Sequence, residues 1–147
     1  MLKKNLPTRI MVFGTFDGLH KGHLNFFKQA RKLTAEPFLI VSVARDTNVF
    51  RIKGKHSGLN EKKRINLIRE FMKKSKLVDK VVLSGVQNHI PHILKECPDI
   101  IALGYDQKAY VKNIKKDLKN KGLNVALVRL RPYKEKIYKN HLLKIIR

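Results

Sequence analysis

Short apolar runs alternate regularly with longer stretches of helical period, and this alternation restricts the fold more than any other feature. Each apolar run is rich in β-branched residues, and the stretch that follows it repeats apolar side chains at helical spacing. Near-continuous apolar runs are typical of strands in a parallel sheet that helices cover on both faces. The order β-α-β-α-β-α-β-α-β-α therefore predicts a doubly wound α/β domain with a five-stranded parallel sheet. The predicted strands are Arg9–Phe13, Pro37–Ala44, Lys80–Gly85, Ile100–Gly104 and Asn124–Leu130.

Helices are predicted after these strands from apolar residues that lie three or four positions apart. Asn60 is a candidate N-cap, and Gly122 is expected to close a helix that spans Lys108–Lys121. The segment Arg45–Leu59 has no clean period and is predicted to be a long loop. The other predicted helices lie within Gly22–Leu33, in the stretch after Asn60, within Asn88–Pro98 and in the tail Tyr138–Arg147.

The length of 147 residues fits one domain over residues 1–147 and can bury one sizeable core. No apolar run approaches the roughly 18 residues of a membrane span, and the N-terminus lacks the apolar segment of a signal peptide. We therefore expect a cytoplasmic protein that makes no membrane contact. Cys97 is the only cysteine, which excludes an internal disulfide, and we expect its thiol to be unreactive and partly buried.

The net charge of +22, from 33 basic and 11 acidic residues, admits two classes of function. A basic face can bind nucleic acid, and a basic surface also suits an enzyme whose substrates are polyphosphates. A lysine-rich surface that reflects composition alone is a third explanation. The chain has no tryptophan, and its tyrosines and phenylalanines do not interleave with basic residues along a strand. This pattern disfavours a stacking surface for nucleic acid.

The stretch VFGTFDGLHKGH, Val12–His23, lies where the first strand ends and the first helix begins. In doubly wound folds, ligands bind at the carboxyl ends of the strands, near the switch point of the sheet. The segment GYDQ follows the fourth strand, and RPY follows the fifth. The sequence therefore predicts that these three polar segments meet at one edge of the sheet.

The residues just after the first strand suit a phosphate group. Gly14 lets the backbone approach a ligand closely, and the backbone N–H groups of Gly14, Thr15 and Phe16 can face an anion. Gly22, at the start of the helix, leaves the helix N–H groups open to a phosphate, and the helix dipole adds positive charge there.

His20 and His23 lie three residues apart at this helix start, so their side chains can share one face. Two imidazoles beside a helix N-terminus supply donors for the transition state of in-line attack on an α-phosphate. Two other interpretations stay open: a metal site, for which Asp17 is the one nearby additional ligand, or imidazoles that only cap and cover the helix. The remaining histidines, including His89 and His92, are expected at the surface or in loops.

Several motifs together resemble one family. GTFDGLHKGH is similar to the GTFDxxHxGH signature of the cytidylyltransferase-like nucleotidyltransferases, members of the H-x-G-H superfamily. VARDTNVFRIKGK resembles the family's V-x-R-D loop with its Lys-Gly pair, NEKKRINLI its E-x-x-R helix start, and IALGYDQ its nucleotide-holding segment. The match runs in order from Ile10 to Gln107 and implies a Rossmann-like fold. The combination most resembles archaeal-type FAD synthases, with glycerol-3-phosphate cytidylyltransferases as the nearest relatives.

The resemblance implies a role for each matched position. His20 and His23 would stabilise the α-phosphate in the transition state, and Lys53 would clamp phosphates between nucleotide and acceptor. Asp17 would order the first loop or contact the acceptor, with Lys55 as a second acceptor contact. The positions expected to bind the nucleotide are Gly14, Thr15, Phe16, Gly22, Gly104, Tyr105, Asp106, Gln107 and Arg131.

The implied reaction joins a nucleoside monophosphate from ATP or CTP to a phosphomonoester and releases pyrophosphate. Adenylylation of FMN is the first expectation, and cytidylylation of glycerol 3-phosphate or a related alcohol phosphate is the alternative. A basic, non-catalytic nucleic-acid-binding domain is the alternative from another class. A divalent cation, Mg²⁺, would bridge the phosphates of the nucleotide, and the resemblance also implies a homodimer. Arg64 matches the family's helix-start arginine, and the tail places Asn140 and His141 where the family has Ser/Thr hydroxyls.

Overall fold

The computed structural model describes residues 6–86, 88–107 and 113–132, and these form one parallel sheet with helices on both faces. Within these ranges the sheet has five strands in the order β3-β2-β1-β4-β5. The five-stranded parallel sheet and the α/β class predicted from the sequence are confirmed. The strands are β1 Thr8–Gly14, β2 Pro37–Val43, β3 Lys80–Leu83, β4 Ile100–Leu103 and β5 Ala126–Arg129.

The strand order places the switch point of the sheet beside β1. The chain runs outward from β1 to β2 and β3, then returns to add β4 and β5 on the other side. The carboxyl end of β1 is thus flanked by loops that leave in opposite directions, which is where ligands bind in open parallel sheets. Gly14 pairs with Val43 as the last residue of β1, and the chain leaves the sheet there toward both histidines.

The two helix ends predicted from Asn60 and Gly122 are found in the structure. The side chain of Asn60 accepts a hydrogen bond from the N–H of Lys63, and Gly122 adopts a positive φ of 93° just after the last described helix. Of the predicted helix Lys108–Lys121, residues 108–112 lie outside the described residues, as does the predicted tail helix. The described helices are α1 Lys21–Arg31, α2 Asp46–Lys53, α3 Glu61–Lys74, α4 His89–Glu96 and α5 Ile114–Asn120.

The prediction of one long loop over Arg45–Leu59 is wrong, because Asp46–Lys53 forms helix α2. The helix has only eight residues, so its apolar period is weak, and its β-branched residues lower its helix propensity. Two local signals were nevertheless present: Asp46 in the first turn, and Gly54, which ends the helix at φ 75°. Tertiary contacts supply the rest, since Val49 is buried and the side chain of Asp46 pairs with an arginine of α3.

Alternate side chains of β1 enter two separate cores, one on each face of the sheet. Ile10 and Val12 pack with residues of α1 and α3, whereas Met11 and Phe13 pack with residues of α4 and α5. This division follows from the two-residue period of a strand. Both faces of β1 are therefore covered, and its open end is the position from which side chains can reach a ligand.

Cys97 lies at the C-terminal end of α4 with a positive φ of 52°. The expectation of a partly buried thiol is wrong, because the residue is exposed. The helix ends there before Pro98, which cannot continue the hydrogen-bonding pattern. None of the helices in the described ranges is long and apolar enough to cross a bilayer.

Candidate active site

The turn after β1 is built around close packing of Phe16 against Gly14. A Cβ on Gly14 would lie 2.6 Å from the ring atoms of Phe16, so only glycine fits at this position. Phe16 adopts a φ of 55° and is buried. Its ring packs against His23, with ring centroids 5.3 Å apart, and against Phe27 of α1. The space at Gly14 therefore holds a side chain of this protein, and Phe16 contributes a wall that supports His23.

His20 and His23 form a reciprocal cap at the start of α1. The N–H of Gly22 donates to Nδ1 of His20 at 3.0 Å, and the N–H of His20 donates to Nδ1 of His23 at 3.3 Å. The two rings stack with their centroids 3.9 Å apart. The interpretation that the two imidazoles cap the helix is therefore confirmed. The prediction that the N–H of Gly22 is open to a phosphate is wrong, because this N–H donates to His20. Both cap hydrogen bonds use Nδ1 atoms, so the Nε2 atoms do not take part in the cap.

This cap fixes the protonation of both rings. A neutral imidazole that accepts a hydrogen bond at Nδ1 carries its proton on Nε2. Burial lowers the pKa of His20, and burial together with the nearby His20 lowers the pKa of His23 to about 3. Both rings are therefore neutral at physiological pH, and each presents one Nε2–H donor. Such donors are aligned before any ligand binds, which is the property that stabilises a developing negative charge.

We predict that the His23 ring stays neutral, in the Nε2–H form, down to about pH 5. Imidazole resonances followed by NMR should show no titration of His23 between about pH 8 and pH 5. The same residue in the urea-unfolded chain should titrate near 6.5, as an exposed histidine does. Because the unfolded state alone takes up this proton, the contribution of His23 to the free energy of unfolding decreases as pH falls from about 6.5 toward 3. A native titration midpoint near 6.5 would contradict the fixed protonation.

Lys53 is brought to the same turn by helix α2. It is the last residue of α2, and its Nζ donates to Oγ1 of Thr15 at 3.3 Å. The sequence placed Lys53 in a loop, whereas the structure places it at a helix end with its ammonium group beside the residue that follows Gly14. Lys55 lies beyond the helix and is exposed. A cation and two imidazole donors thus flank one turn.

Asp17 orders the loop that follows α2. Its carboxylate accepts hydrogen bonds from the N–H of Gly58 at 2.6 Å and the N–H of Leu59 at 2.7 Å. A Cβ on Gly58 would lie 3.3 Å from Oδ2 of Asp17, so this approach is tight. The loop that Asp17 orders is thus the one after α2, and not the first loop that the resemblance implied; a contact with the acceptor stays a prediction.

Arg64 joins three segments of the site from inside the protein. It is fully buried, and its guanidinium donates to the carbonyl of Thr15, the carbonyl of Leu59 and the carboxylate of Asp46. Burial alone would raise the pKa of Asp46, but hydrogen bonds from the Glu61 backbone and from Arg64 lower it below its usual value. Arg64 therefore holds the turn after β1, the start of α2 and the start of α3 in one arrangement.

The turn after β4 lies on the other side of β1. The side chain of Gln107 bridges the two strands, since its Nε2 donates to the carbonyl of Phe13 and its Oε1 accepts from the N–H of Gly104. Tyr105 is half-buried and Asp106 is exposed on this turn. The segment predicted to hold a nucleotide is thus brought next to the end of β1, and Gln107 contributes to its shape.

Arg129 is a residue of this region that the sequence did not reveal. Its guanidinium donates to the carbonyl of Gly104 at 2.7 Å and the carbonyl of Gln107 at 2.6 Å, which fixes the turn after β4. In the sequence, only its position two residues before Arg131 indicated that Arg129 could belong to this region. Arg131 itself is held through its backbone by the side chain of Gln29 in α1, and its side chain is exposed.

The histidines expected at the surface include two that are half-buried on α4. His92 shares a hydrogen bond with the fully buried Ser42 of β2 at 2.8 Å, and the rings of His89 and His92 pack against the ring of Phe13 in T-shaped arrangements. Burial lowers the pKa of both histidines. The three-residue spacing of His89 and His92 could have predicted this contact, because it places both side chains on one face of a helix.

A family model described as cytidylyltransferase-like matches residues 11–142. This chain belongs to the cytidylyltransferase-like family. The match includes the turn after β1, both capping histidines, Lys53 and the turn after β4. Together with the relatives below, it establishes the protein as a nucleotidyltransferase.

Among its relatives are FAD synthases of archaea. The FAD synthase of Korarchaeum cryptofilum (strain OPF8) is 42% identical over 123 residues, which cover 83% of this chain and 80% of the relative. The FAD synthase of Aciduliprofundum boonei (strain DSM 19572 / T469) is 44% identical over 126 residues, covering 85% of this chain and 79% of the relative.

Solved structures agree with the fold. A structure described as the lipopolysaccharide core biosynthesis protein from Thermoplasma volcanium GSS1 matches with a TM-score of 0.75 and 35% identity, covering 86% of this chain and 98% of that chain. A protein with unknown function from Archaeoglobus fulgidus matches with a TM-score of 0.65 over 84% of this chain and 90% of that chain. Its identity of 19% supports the fold alone.

Proposed function

We propose that this nucleotidyltransferase transfers the adenylyl group of ATP to FMN, which yields FAD and pyrophosphate. The observation that carries the proposal is the similarity to FAD synthases at 36–44% identity over more than four fifths of this chain. The site supports it, because neutral Nε2–H donors and a lysine surround a turn that follows β1 at the switch point of the sheet. The acceptor phosphate is itself the nucleophile, so the protein needs to orient the reactants and stabilise charge.

The proposed step is one in-line displacement. An oxygen of the FMN phosphate attacks the α-phosphorus of ATP, the new P–O bond forms, and the bond from that phosphorus to the β-phosphate oxygen breaks. The bonding electrons leave with pyrophosphate. His20 and His23 donate their Nε2–H groups to the oxygens that gain charge, and Lys53 neutralises charge between the two phosphate groups. No covalent intermediate on the protein is needed.

The remaining positions have proposed binding roles in this reaction. The backbone N–H groups of residues 14–16 face the phosphates, the turn Gly104–Gln107 lines the base and ribose, and the exposed Arg131 contacts the nucleotide. Asp17 acts through the loop that it orders, and the exposed Lys55 reaches the acceptor. We also propose that residues 1–147 act as one domain and that the protein is a homodimer.

A divalent cation would neutralise charge on the triphosphate, as is general for nucleotidyltransferases of this kind. In the part of the chain that the structure describes, no three histidine, cysteine, aspartate or glutamate side chains are grouped to hold a metal ion. Asp17, the carboxylate next to the histidines in sequence, accepts backbone hydrogen bonds at both oxygens. We propose that Mg²⁺ enters with the ATP phosphates, and we assign it no protein ligand.

The test is an incubation of the purified protein and Mg²⁺ with each nucleotide and each acceptor. ATP with FMN should yield FAD by chromatography and an equal amount of pyrophosphate, and ATP alone should yield neither. Product from CTP and glycerol 3-phosphate, with no FAD from ATP and FMN, would replace the proposed substrates by the alternative pair. Absence of both products, with tight and salt-dependent binding of RNA or DNA, would favour the non-catalytic alternative.

A further inference from the structure

A second polar cluster lies at the carboxyl ends of β2 and β3, on the side of β1 away from the turn after β4. We call it the β2–β3 cluster, and it consists of Arg45, Asn48, Ser84, Gly85 and His92. Hydrogen bonds tie it together: Nε of Arg45 donates to the carbonyl of Ser84 at 2.7 Å, and Nδ2 of Asn48 donates to the carbonyl of Gly85 at 2.6 Å. A Cβ on Gly85 would lie 3.4 Å from Cβ of His92, so α4 closes one side.

Two oxygens in this cluster are buried without a hydrogen-bond partner among the described residues. They are Oδ1 of Asn48 and Oγ of Ser84, and both residues are only 2% exposed. Buried polar atoms in folded proteins are nearly always paired, and an unpaired one destabilises the protein that carries it. Such atoms are explained when a ligand supplies their partners.

The cluster offers both donors and an acceptor. Arg45 supplies N–H donors, Oδ1 of Asn48 is an acceptor, and the hydroxyl of Ser84 can donate. A complementary ligand therefore presents two acceptors and one donor. The pyrimidine edge of an isoalloxazine ring offers these groups in its O2, N3–H and O4 atoms, whereas a glycerol phosphate has no such edge. An adenine edge, with N1, the N6 amino group and N7, offers the same groups.

The position of the cluster distinguishes between these two rings. The turn Gly104–Gln107, to which we assign the base of ATP, follows β4 and lies on the opposite side of β1. Helix α2 connects the cluster to the turn after β1, because Asn48 belongs to the cluster and Lys53, five residues later, contacts Thr15. Five residues of helix rise about 7.5 Å. The ring and the ribityl chain of FMN together are longer than this rise, so one acceptor can reach from the cluster to the region of Lys53.

We propose that Arg45, Asn48 and Ser84 bind the pyrimidine edge of the isoalloxazine ring of the acceptor. This inference rests on the proposed function and names the part of the protein that selects a flavin over a smaller phosphomonoester. Both unpaired oxygens are covered in the free protein, so binding of the ring requires the cluster to open, and the half-buried Arg45 is the most exposed side chain among Arg45, Asn48 and Ser84.

The test compares flavin affinity with protein stability in a Ser84→Ala variant. The variant removes a buried hydroxyl that has no hydrogen-bond partner in the described part of the chain, so its free energy of unfolding should equal or exceed that of the wild type. Its Kd for FMN, measured by flavin fluorescence without ATP, should rise about tenfold, as expected for one lost hydrogen bond to the ligand. Its Kd for ATP should not change. A Ser75→Ala variant, which makes the same substitution beyond the end of α3, should leave both affinities unchanged.

Flavins without a phosphate group test the same cluster in the wild-type protein. Lumiflavin, which retains the ring and lacks the ribityl phosphate, should displace FMN, and 3-methyllumiflavin, which lacks the N3–H donor, should bind more weakly. An unchanged Kd for FMN in Ser84→Ala, or an increased Kd for ATP instead, would overturn the inference. Loss of FMN affinity together with lower stability would assign Ser84 a structural role. FAD formation by the wild type is measured separately, so the proposed function can stand while this inference fails.

Discussion

Replacing His23 with asparagine should lower kcat for FAD formation by about 100- to 1,000-fold while the protein remains folded. The expected loss corresponds to about 3 kcal/mol, the effect of deleting one preorganised donor to a developing negative charge. Asparagine places its side-chain oxygen near the position of Nδ1, so it can still accept from the N–H of His20. It has no donor where Nε2–H stands. The substitution therefore separates the catalytic donor from the helix cap.

A His23→Gln variant is the matched control, because its amide nitrogen lies near the position of Nε2 and keeps a donor there. We expect this variant to retain more activity than His23→Asn. It should instead lose the hydrogen bond from the N–H of His20 that caps α1. The same comparison at His20, with asparagine and glutamine, should reproduce this order. Equal turnover in wild type and His23→Asn would show that the two rings serve only to cap α1.

Replacing Arg64 with methionine should reduce the free energy of unfolding by at least about 3 kcal/mol. The carbonyls of Thr15 and Leu59 each lose a hydrogen bond from a charged donor, and such a bond contributes about 1.5 kcal/mol or more. Asp46 also loses its ion pair, although its side chain is 35% exposed and can turn to water. Urea unfolding measures the difference directly. Turnover should also fall, because the turn after β1 and helix α2 lose their common anchor.

An Arg69→Met variant controls for the removal of a positive charge from α3. Arg69 is exposed on the same helix, so its replacement should change stability by less than about 0.5 kcal/mol. If both variants unfolded at the same urea concentration as the wild type, the buried guanidinium would not hold the three segments together. If Arg64→Met were unstable but retained full kcat, Arg64 would support the fold without positioning the site.

Local patterns were sufficient for the strands and for most helix ends. Alternation of apolar runs with helical period reports which residues can be buried together, and capping residues such as Asn60 act over three positions of the chain. Helix α2 was missed for the opposite reason. Its eight residues have a weak apolar period, and contacts with Arg64 and Gly85, which lie far along the sequence, stabilise it.

The sequence by itself determined the parallel sheet, the position of the paired histidines after β1 and the resemblance to the nucleotidyltransferases, because each depends on short-range spacing. The tertiary structure decided how these residues are used. It assigned the Nδ1 atoms to the cap and left the Nε2–H groups as donors, filled the space at Gly14 with Phe16, and moved Lys53 to Thr15 on a helix. Each of these outcomes depends on hydrogen bonds and packing contacts between segments of the folded chain. Contacts between distant segments form only when the chain packs, so local sequence patterns do not reveal them.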